Sequence, residues 1–417
     1  MSDQKPLCLL PWLHLHTWPN GNVYPCCVTP MEYIAGNLKE NTLEEIFNSD
    51  LMKNIRKDLS SGVKTESCQR CWAQEERGGH SMRMRANESW KHHEQDIIAR
   101  TRPDGSVENM KLPYWDFRFS NICNFKCRSC GPQLSSGWYS DTKKIAVLET
   151  GKAFLPDDVP TDRNLELWEQ IEPHFETVEE IYFAGGEPLI MEEHYRILKK
   201  LDKMGKHGVH LRYNTNFSEM RYKDMHVLDF WKKFKSVEVG ASIDGMEKEG
   251  EYIRSGFKWE QFVSNRNEMK EKCPHVHFYV TCTTSIQNAY HIIPFHHRLV
   301  EEKFIDNYDR FFINIVTEPS MLDMRILPKH HKEILSEAYT RHANFLTMAE
   351  GFHEMPAVNA RRGFVSLKHH LLQDHPDPYP RGDSLLGIFK YKMDQYDQIR
   401  GENFAETFPE MKDLVSG

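Results

Sequence analysis

The 417-residue sequence has no apolar run approaching the roughly 18 residues that a membrane-spanning helix needs. Its opening stretch, MSDQKPLCLLPW, lacks a charged segment followed by a long apolar one, which excludes a secretory signal peptide. These two absences predict a soluble, cytoplasmic protein with no membrane partner. Positive charge is also in deficit: 53 Lys and Arg stand against 61 Asp and Glu, for a net charge of −8. That excludes a broad basic surface and disfavours nucleic acid as a partner, though it leaves room for a local basic groove. There is no low-complexity tract and no internal sequence repeat. With 39% apolar residues the chain can bury a sizeable core, and its length allows two or three domains.

Cysteine is sparse over most of the chain and crowded at one end. Cysteines occupy positions 8, 26, 27, 68, 71, 123, 127, 130, 273 and 282, so all but two lie in the first 130 residues. In a large cytosolic chain, such clustering points to metal ligation rather than disulfides. Cys273 and Cys282 are isolated, and Cys282 sits in the strand-like VHFYVTCTT. Both read as small buried hydrophobes.

Residues 1–90 form one unit. Within it, NTLEEIFNSDLMKNIRKDLSSG reads as a helix. Thr42 and Glu45 make a capping-box pattern, Leu43, Ile46, Phe47, Ile55 and Leu59 fall near one face, and Gly62 follows as a stop. Residues 91–112 are polar, contain Pro and Gly, and read as a linker. From 113 a strand-and-helix rhythm begins. Strands are expected at 114–120, 178–184, 209–214, 236–243, 276–284 and 310–317, with helices at 191–204, 222–234, 258–272 and 286–302 among the intervening segments. After the first interval the strand starts are spaced as βα units require. The expected fold class is therefore α/β, with a partial (β/α)6 TIM-like barrel over 113–320. A doubly wound open sheet is the alternative. Residues 321–417 read as a helical C-terminal region, with helices near 328–349, 358–373 and 384–398.

The stretch NICNFKCRSCGP follows the first expected strand. In parallel α/β folds, ligand sites lie at the carboxyl ends of the strands. Cys123, Cys127 and Cys130, spaced C-x3-C-x2-C, supply three thiolates. Three thiolates hold three irons of a [4Fe–4S] cluster and leave the fourth open. A zinc knuckle completed by His174 or His194 is the alternative. The next strand ends carry further short polar or glycine-rich groups: AGGEPLI with Gly185, Gly186 and Glu187, NTN with Asn214 and Asn216, and ASIDG with Ser242 and Asp244. Any one of these alone reads as a turn or a helix cap. Together, in order along one fold, they suit ribose hydroxyls and amino-acid ends.

On these motifs, C-x3-C-x2-C after strand one and GGE after strand two, the stretch from 113 to about 320 resembles a radical S-adenosylmethionine (radical SAM) enzyme core. The resemblance implies that Cys123, Cys127 and Cys130 ligate a [4Fe–4S] cluster. Its open iron would chelate S-adenosyl-L-methionine, which is cleaved reductively to a 5′-deoxyadenosyl radical that abstracts a substrate hydrogen. Carried over by position, Gly185, Gly186 and Glu187 should meet the methionine amino group. Ser242 and Asp244 should lie near the ribose or carboxylate, Asn214 near the ribose, and Arg254 near the carboxylate or else in a surface salt bridge. The implied partner is an electron donor such as flavodoxin or ferredoxin. No catalytic acid or base is assigned. Where the family often has an adenine-packing aromatic before the third cysteine, this chain has Ser129, and Phe125 is not assumed to replace it.

Cys8, Cys26, Cys68 and Cys71 suit either a structural zinc or a complete [4Fe–4S] cluster by spacing alone. Their setting resembles the auxiliary-cluster domain called SPASM, in its shorter twitch form, which implies one auxiliary [4Fe–4S] cluster with Cys27 as the spare thiol. Arg77, Arg83 and Arg85 either line an approach to the site or belong to a solvated basic stretch. The expected substrate is a peptide or protein side chain, or a small molecule such as a sugar or nucleoside. The lack of a winged helix in the first 100 residues makes a small substrate credible. The alternative function is a non-catalytic iron–sulfur or zinc protein for binding or electron transfer.

Overall fold

The computed structural model describes residues 6–76, 78–161, 167–349, 357–376 and 384–416, so Arg77 lies outside the described residues. The N-terminal unit opens with a small antiparallel sheet of β1 (His16–Thr17), β2 (Asn22–Tyr24) and β3 (Gly36–Asn37). The capping box forms as its pattern predicts: Glu45 N donates to Thr42 Oγ1 at 3.2 Å and Thr42 N donates to Glu45 Oε2 at 2.8 Å. The expected single helix is two, Leu43–Phe47 and Asp50–Ser60. The break has a cause. The Asn48 side chain grips the backbone of Val107 through both its amide atoms, at 3.0 and 3.1 Å, and Ser49 caps the second helix.

That contact also revises the expected linker. Residues 91–112 contain the helix Glu94–Arg100, and Ile97, Val107 and Leu112 are buried. Their spacing is too wide for composition alone to reveal a packed face. Trp12 ties this segment down by donating to Thr101 Oγ1 at 2.7 Å.

The main sheet has six parallel strands: β4 (Tyr114–Trp115), β5 (Glu180–Phe183), β6 (His210–Thr215), β9 (Val237–Ser242), β10 (His277–Thr284) and β11 (Phe311–Ile315). They lie side by side in chain order, as a singly wound partial barrel requires and a doubly wound sheet does not. The short hairpin β7 (Arg221–Tyr222) and β8 (Met225–His226) takes the start of the helix expected at 222–234. Lys223 turns the chain there at φ 55°, and the helix is only Val227–Trp231.

β4 is shorter than expected because from Asp116 onward its neighbour changes. His16 bridges to Asp116, Thr17 N donates to Asp116 O at 3.3 Å, and Arg118 N donates to Thr17 Oγ1 at 2.7 Å. The N-terminal unit thus covers one edge of the barrel sheet, an edge that would otherwise offer unpaired backbone groups. At the other edge, helix Val358–Leu371 packs on β11 and on helix Lys329–Ala349. Cys273 and Cys282 are buried in the core. No helix among the described residues is long and apolar enough to cross a membrane.

Candidate active site

The carboxyl ends of the barrel strands open on a cavity of about 490 Å³, and Cys123, Cys127 and Cys130 all line it. The loop that carries them is pinned at several points. Lys126 N donates to Ser255 O and Arg128 N to Ile253 O, each at 2.9 Å, and the Trp138 indole donates to Cys127 O at 3.0 Å. Burial pushes the Cys123 and Cys130 thiols up to about 12, and it raises Cys127 as well. Such thiols stay protonated near neutrality unless a metal takes the proton's place.

The second strand end comes close to this loop. Gly185 and Gly186 line the cavity with φ of 81° and 50°. A Cβ at Gly186 would lie 2.3 Å from the Ile122 carbonyl oxygen, and one at Gly185 would lie 2.5 Å from Arg118. No side chain fits at either position, so the backbone itself forms the wall.

Asn214, Ser242 and Arg254 line the same cavity, but Glu187 and Asp244 do not. The Glu187 carboxylate is 1% exposed and turned inward. Oε1 accepts from Thr215 Oγ1 at 2.6 Å and Leu189 N at 3.0 Å, and Oε2 accepts from Asn216 N at 2.6 Å. Burial nonetheless outweighs these bonds and raises its pKa to about 7. Asp244 is buried in an ion pair with Arg254, Nε to Oδ2 at 2.7 Å, and also accepts from Thr283 N at 2.7 Å. Arg254 is therefore not a surface salt bridge. Burial works against its charge, but Asp244 and the Cys127 thiol more than compensate, and its Nη1 donates to Cys127 Sγ at 3.7 Å.

Several wall residues were given no role of their own from the sequence. Asn216 donates to Cys123 Sγ at 3.9 Å and Asn124 Oδ1 at 2.8 Å. It lay within the NTN motif but was not separated from its neighbours. Arg118 and Tyr182 also line the cavity, with the Arg118 guanidinium 5.0 Å from the Tyr182 ring centre. Ser129 and Phe125 both reach the wall, and Phe125 packs edge-on against Phe257 at 6.3 Å.

The zinc alternative fares poorly at this loop. Neither His174 nor His194 lines the cavity, and His194 is buried with its Nε2 at 3.0 Å from the Tyr213 hydroxyl. Four thiolates on one zinc sit about 3.8 Å apart, given Zn–S bonds of about 2.3 Å. Among the described residues, the groups whose ligand atoms all lie within 4.8 Å of one another contain no cysteine. Three thiols on one cavity, with no fourth cysteine or histidine in its wall among the described residues, fit the larger frame of an iron–sulfur cluster with one open iron.

In the N-terminal unit, Cys8 and Cys71 are buried, and Cys26 and Cys68 half-buried. Burial raises Cys8 most, and the thiols of Cys26, Cys68 and Cys71 add to it, so the four share one neighbourhood. Cys26 Sγ lies 3.3 Å from Thr29 Oγ1. Cys27 is exposed, and beyond burial and Cys26 its charged neighbours are Asp116, Arg118 and Arg212 of the barrel strands. Arg83 is committed to Glu75 at 2.7 Å and Arg85 is exposed, and neither lines the 490 Å³ cavity.

His14, His16 and Asp116 form a buried cluster with ligand-type atoms close together. Trp18 donates to His16 Nε2 at 3.1 Å, so His16 carries its proton on Nδ1 and donates to Asp116 Oδ2 at 2.8 Å. Asp116 Oδ1 pairs with Arg118 at 2.8 Å. The lone pairs a metal would need on His16 are thus taken, whereas both ring nitrogens of buried His14 have no hydrogen-bond partner among the described residues.

Residues 117–284 match the family model described as the radical SAM superfamily, and residues 8–72 match the iron–sulfur cluster-binding domain SPASM. No curated protein matches the sequence significantly. Among solved structures, the chain is similar to anSMEcpe with bound AdoMet, with a TM-score of 0.36, 17% identity, and 56% of this chain and 59% of that one covered. It is also similar to Streptococcus suis SuiB bound to S-adenosylmethionine, with a TM-score of 0.34, 14% identity and coverages of 62% and 50%. SuiB bound to precursor peptide SuiA gives 0.34, 12%, 69% and 62%. The chain thus spans less than two thirds of the length of each. The matched domains imply S-adenosylmethionine, a [4Fe–4S] cluster and auxiliary iron–sulfur binding.

Proposed function

Since the chain belongs to the radical SAM superfamily and carries an N-terminal SPASM domain, we propose that it is an enzyme that cleaves S-adenosylmethionine reductively in the 490 Å³ cavity. Bound there, the cluster and S-adenosylmethionine supply a 5′-deoxyadenosyl radical able to abstract a substrate hydrogen. Cys123, Cys127 and Cys130 hold the cluster. The backbone of Gly185 and Gly186 receives the methionine amino group, because only bare backbone fits there. Glu187 orients that backbone and Asn216 from behind rather than touching the cofactor. Asn214 and Ser242 offer polar atoms to the ribose and carboxylate. Arg254, held by Asp244, hydrogen-bonds Cys127 Sγ and steadies the loop. Cys8, Cys26, Cys68 and Cys71 hold one auxiliary [4Fe–4S] cluster. The substrate is a peptide or protein side chain or a small molecule entering past Arg118 and Tyr182.

The observation that carries this reading is the meeting of three thiols and a side-chain-free glycine pair in one cavity at the barrel's carboxyl end. Anaerobic reconstitution with iron and sulfide tests it. The expected result is two clusters, about eight irons per chain, and 5′-deoxyadenosine formed only with reductant. A zinc-replete chain that takes up no iron and forms none would favour the non-catalytic alternative.

A further inference from the structure

Three groups of histidine and carboxylate among the described residues bring ligand-type atoms within 4.8 Å of one another. In the first, His16 is already spent on Trp18 and Asp116. In the second, His92 and His93 each take their own oxygen of Glu179, at 3.0 and 2.9 Å, the ordinary length of a hydrogen bond. The third, His330, His331 and Asp413, differs. Both Nε2 atoms converge on one oxygen, Asp413 Oδ2, at 3.2 and 3.1 Å, and His331 Nε2 also lies 3.2 Å from Oδ1. The two rings are 4.2 Å apart. Among the described residues no Lys or Arg pairs with Asp413, whose ionic partners are the two imidazoles.

These side chains come from segments far apart in sequence. His330 and His331 lie in the first turn of helix Lys329–Ala349, and Asp413 lies in the 3-10 segment Pro409–Leu414. His331 is 3% exposed, and its other ring nitrogen, Nδ1, lies 2.7 Å from the Tyr290 hydroxyl, just before helix Ile292–Glu301. His330 and Asp413 are 61% and 49% exposed, so one side of the group is open to water. None of the three lines the 490 Å³ cavity.

We propose that His330, His331 and Asp413 bind a zinc ion, with water in the fourth position. Bonds of about 2.0–2.1 Å put tetrahedral ligands about 3.3 Å apart, close to the spacing of these nitrogen and oxygen atoms. Two imidazoles with one carboxylate suit a borderline cation such as zinc, whereas magnesium and calcium prefer oxygen alone. His331 donates from Nδ1 to the Tyr290 hydroxyl. That leaves the Nε2 lone pair for the metal and fixes the ring, as the outer partner of a ligating histidine does. The ion joins the start of one C-terminal helix to the segment that follows Asp397 and Glu402, the two carboxylates that hold Arg128 of the three-cysteine loop at 2.8 and 2.7 Å. Zinc binding here is separate from the iron–sulfur reading and stands or falls without it.

The test uses the full-length chain after anaerobic cluster reconstitution. Zn²⁺ is titrated against a chromophoric chelator, with magnesium in excess, and the surroundings of the bound zinc are read by X-ray absorption. The expected result is one zinc per chain with only nitrogen and oxygen neighbours. His330→Ala, at an exposed position where the packing survives, and Asp413→Asn should each weaken zinc binding about tenfold or more. Tyr290→Phe, which removes only the outer hydrogen bond, should weaken it about tenfold. His92→Ala, in the group read as two separate hydrogen bonds, should leave the affinity unchanged. A wild type that takes up no zinc would overturn the proposal. So would sulfur neighbours around the zinc, which would place it among the cysteines, or equal affinity in the wild type and His330→Ala.

Discussion

The Cys123–Cys127–Cys130 loop and the Cys8–Cys26–Cys68–Cys71 group share a C-x2-C pair and differ in almost everything around it. Cys127 and Cys130 lie in a loop after a barrel strand, beside a glycine-built wall and an open cavity. Cys68 ends a short 3-10 turn and Cys71 lies in the helix that follows, Gln69–Glu76, where it is buried. Burial raises the Cys123 and Cys68 thiols alike, to about 12. The thiols therefore look equivalent by charge, and what separates the groups is the number of sulfurs and the space in front of them. An open coordination position next to a cavity is a site for chemistry, and a full set of ligands is a closed one.

The largest break in this comparison is expected from Cys123→Ala/Cys127→Ala/Cys130→Ala. That variant should lose half the reconstituted iron and all 5′-deoxyadenosine, while retaining the spectrum of the second cluster. Persistent cleavage would mean that the open site has been misplaced. Cys26→Ala should lose the other half of the iron yet still form 5′-deoxyadenosine with dithionite. Loss of both clusters together would show that the two groups are not independent, despite lying on separate units.

A smaller effect is expected at Glu187, which braces the open site from behind. Its folded-state pKa of about 7 stands above an ordinary glutamate value of about 4.3. Between those two values the folded chain holds a proton that the unfolded chain has lost, so this group favours folding at low pH. That advantage fades as pH rises through about 4.5 to 7. Over the window it amounts to about 3 kcal/mol. Glu187→Gln cannot titrate, so its stability relative to wild type should rise by that order between pH 4.5 and 7.5, as followed by chemical denaturation of the apoprotein. Parallel curves for the two proteins would show that the three hydrogen bonds to the carboxylate fully offset burial.

The barrel was legible in the sequence because period and spacing act locally. Each β-run from 178 to 317 forms a strand within a few residues of its expected ends. Features set by distant partners were not legible. The early end of β4 depends on Thr17, about a hundred positions away, and the split at Asn48 depends on Val107. At the site, motif residues at the strand ends were found, but not which way each side chain turns. Glu187 turns inward because three donors converge on it, and Arg254 is spent on Asp244. Arg118 was missed because one arginine in FRFS resembles any other until the sheet face it occupies is known.

The smallest expected effect sharpens the comparison most. Cys26 and Cys27 are neighbours in sequence, and spacing from Gly21 was the one reason to prefer Cys26. In the structure, successive residues point to different surroundings. Cys26 lies beside Thr29 and raises Cys8, whereas Cys27 is exposed toward Asp116, Arg118 and Arg212. A thiol facing those charged side chains is not placed to join the closed set. Cys27→Ala should therefore keep both clusters, about eight irons, and the wild-type dithionite rate of 5′-deoxyadenosine formation. If Cys27→Ala loses the auxiliary cluster while Cys26→Ala retains it, the ligand roles are exchanged, and the closed site draws its fourth sulfur from the barrel-facing side.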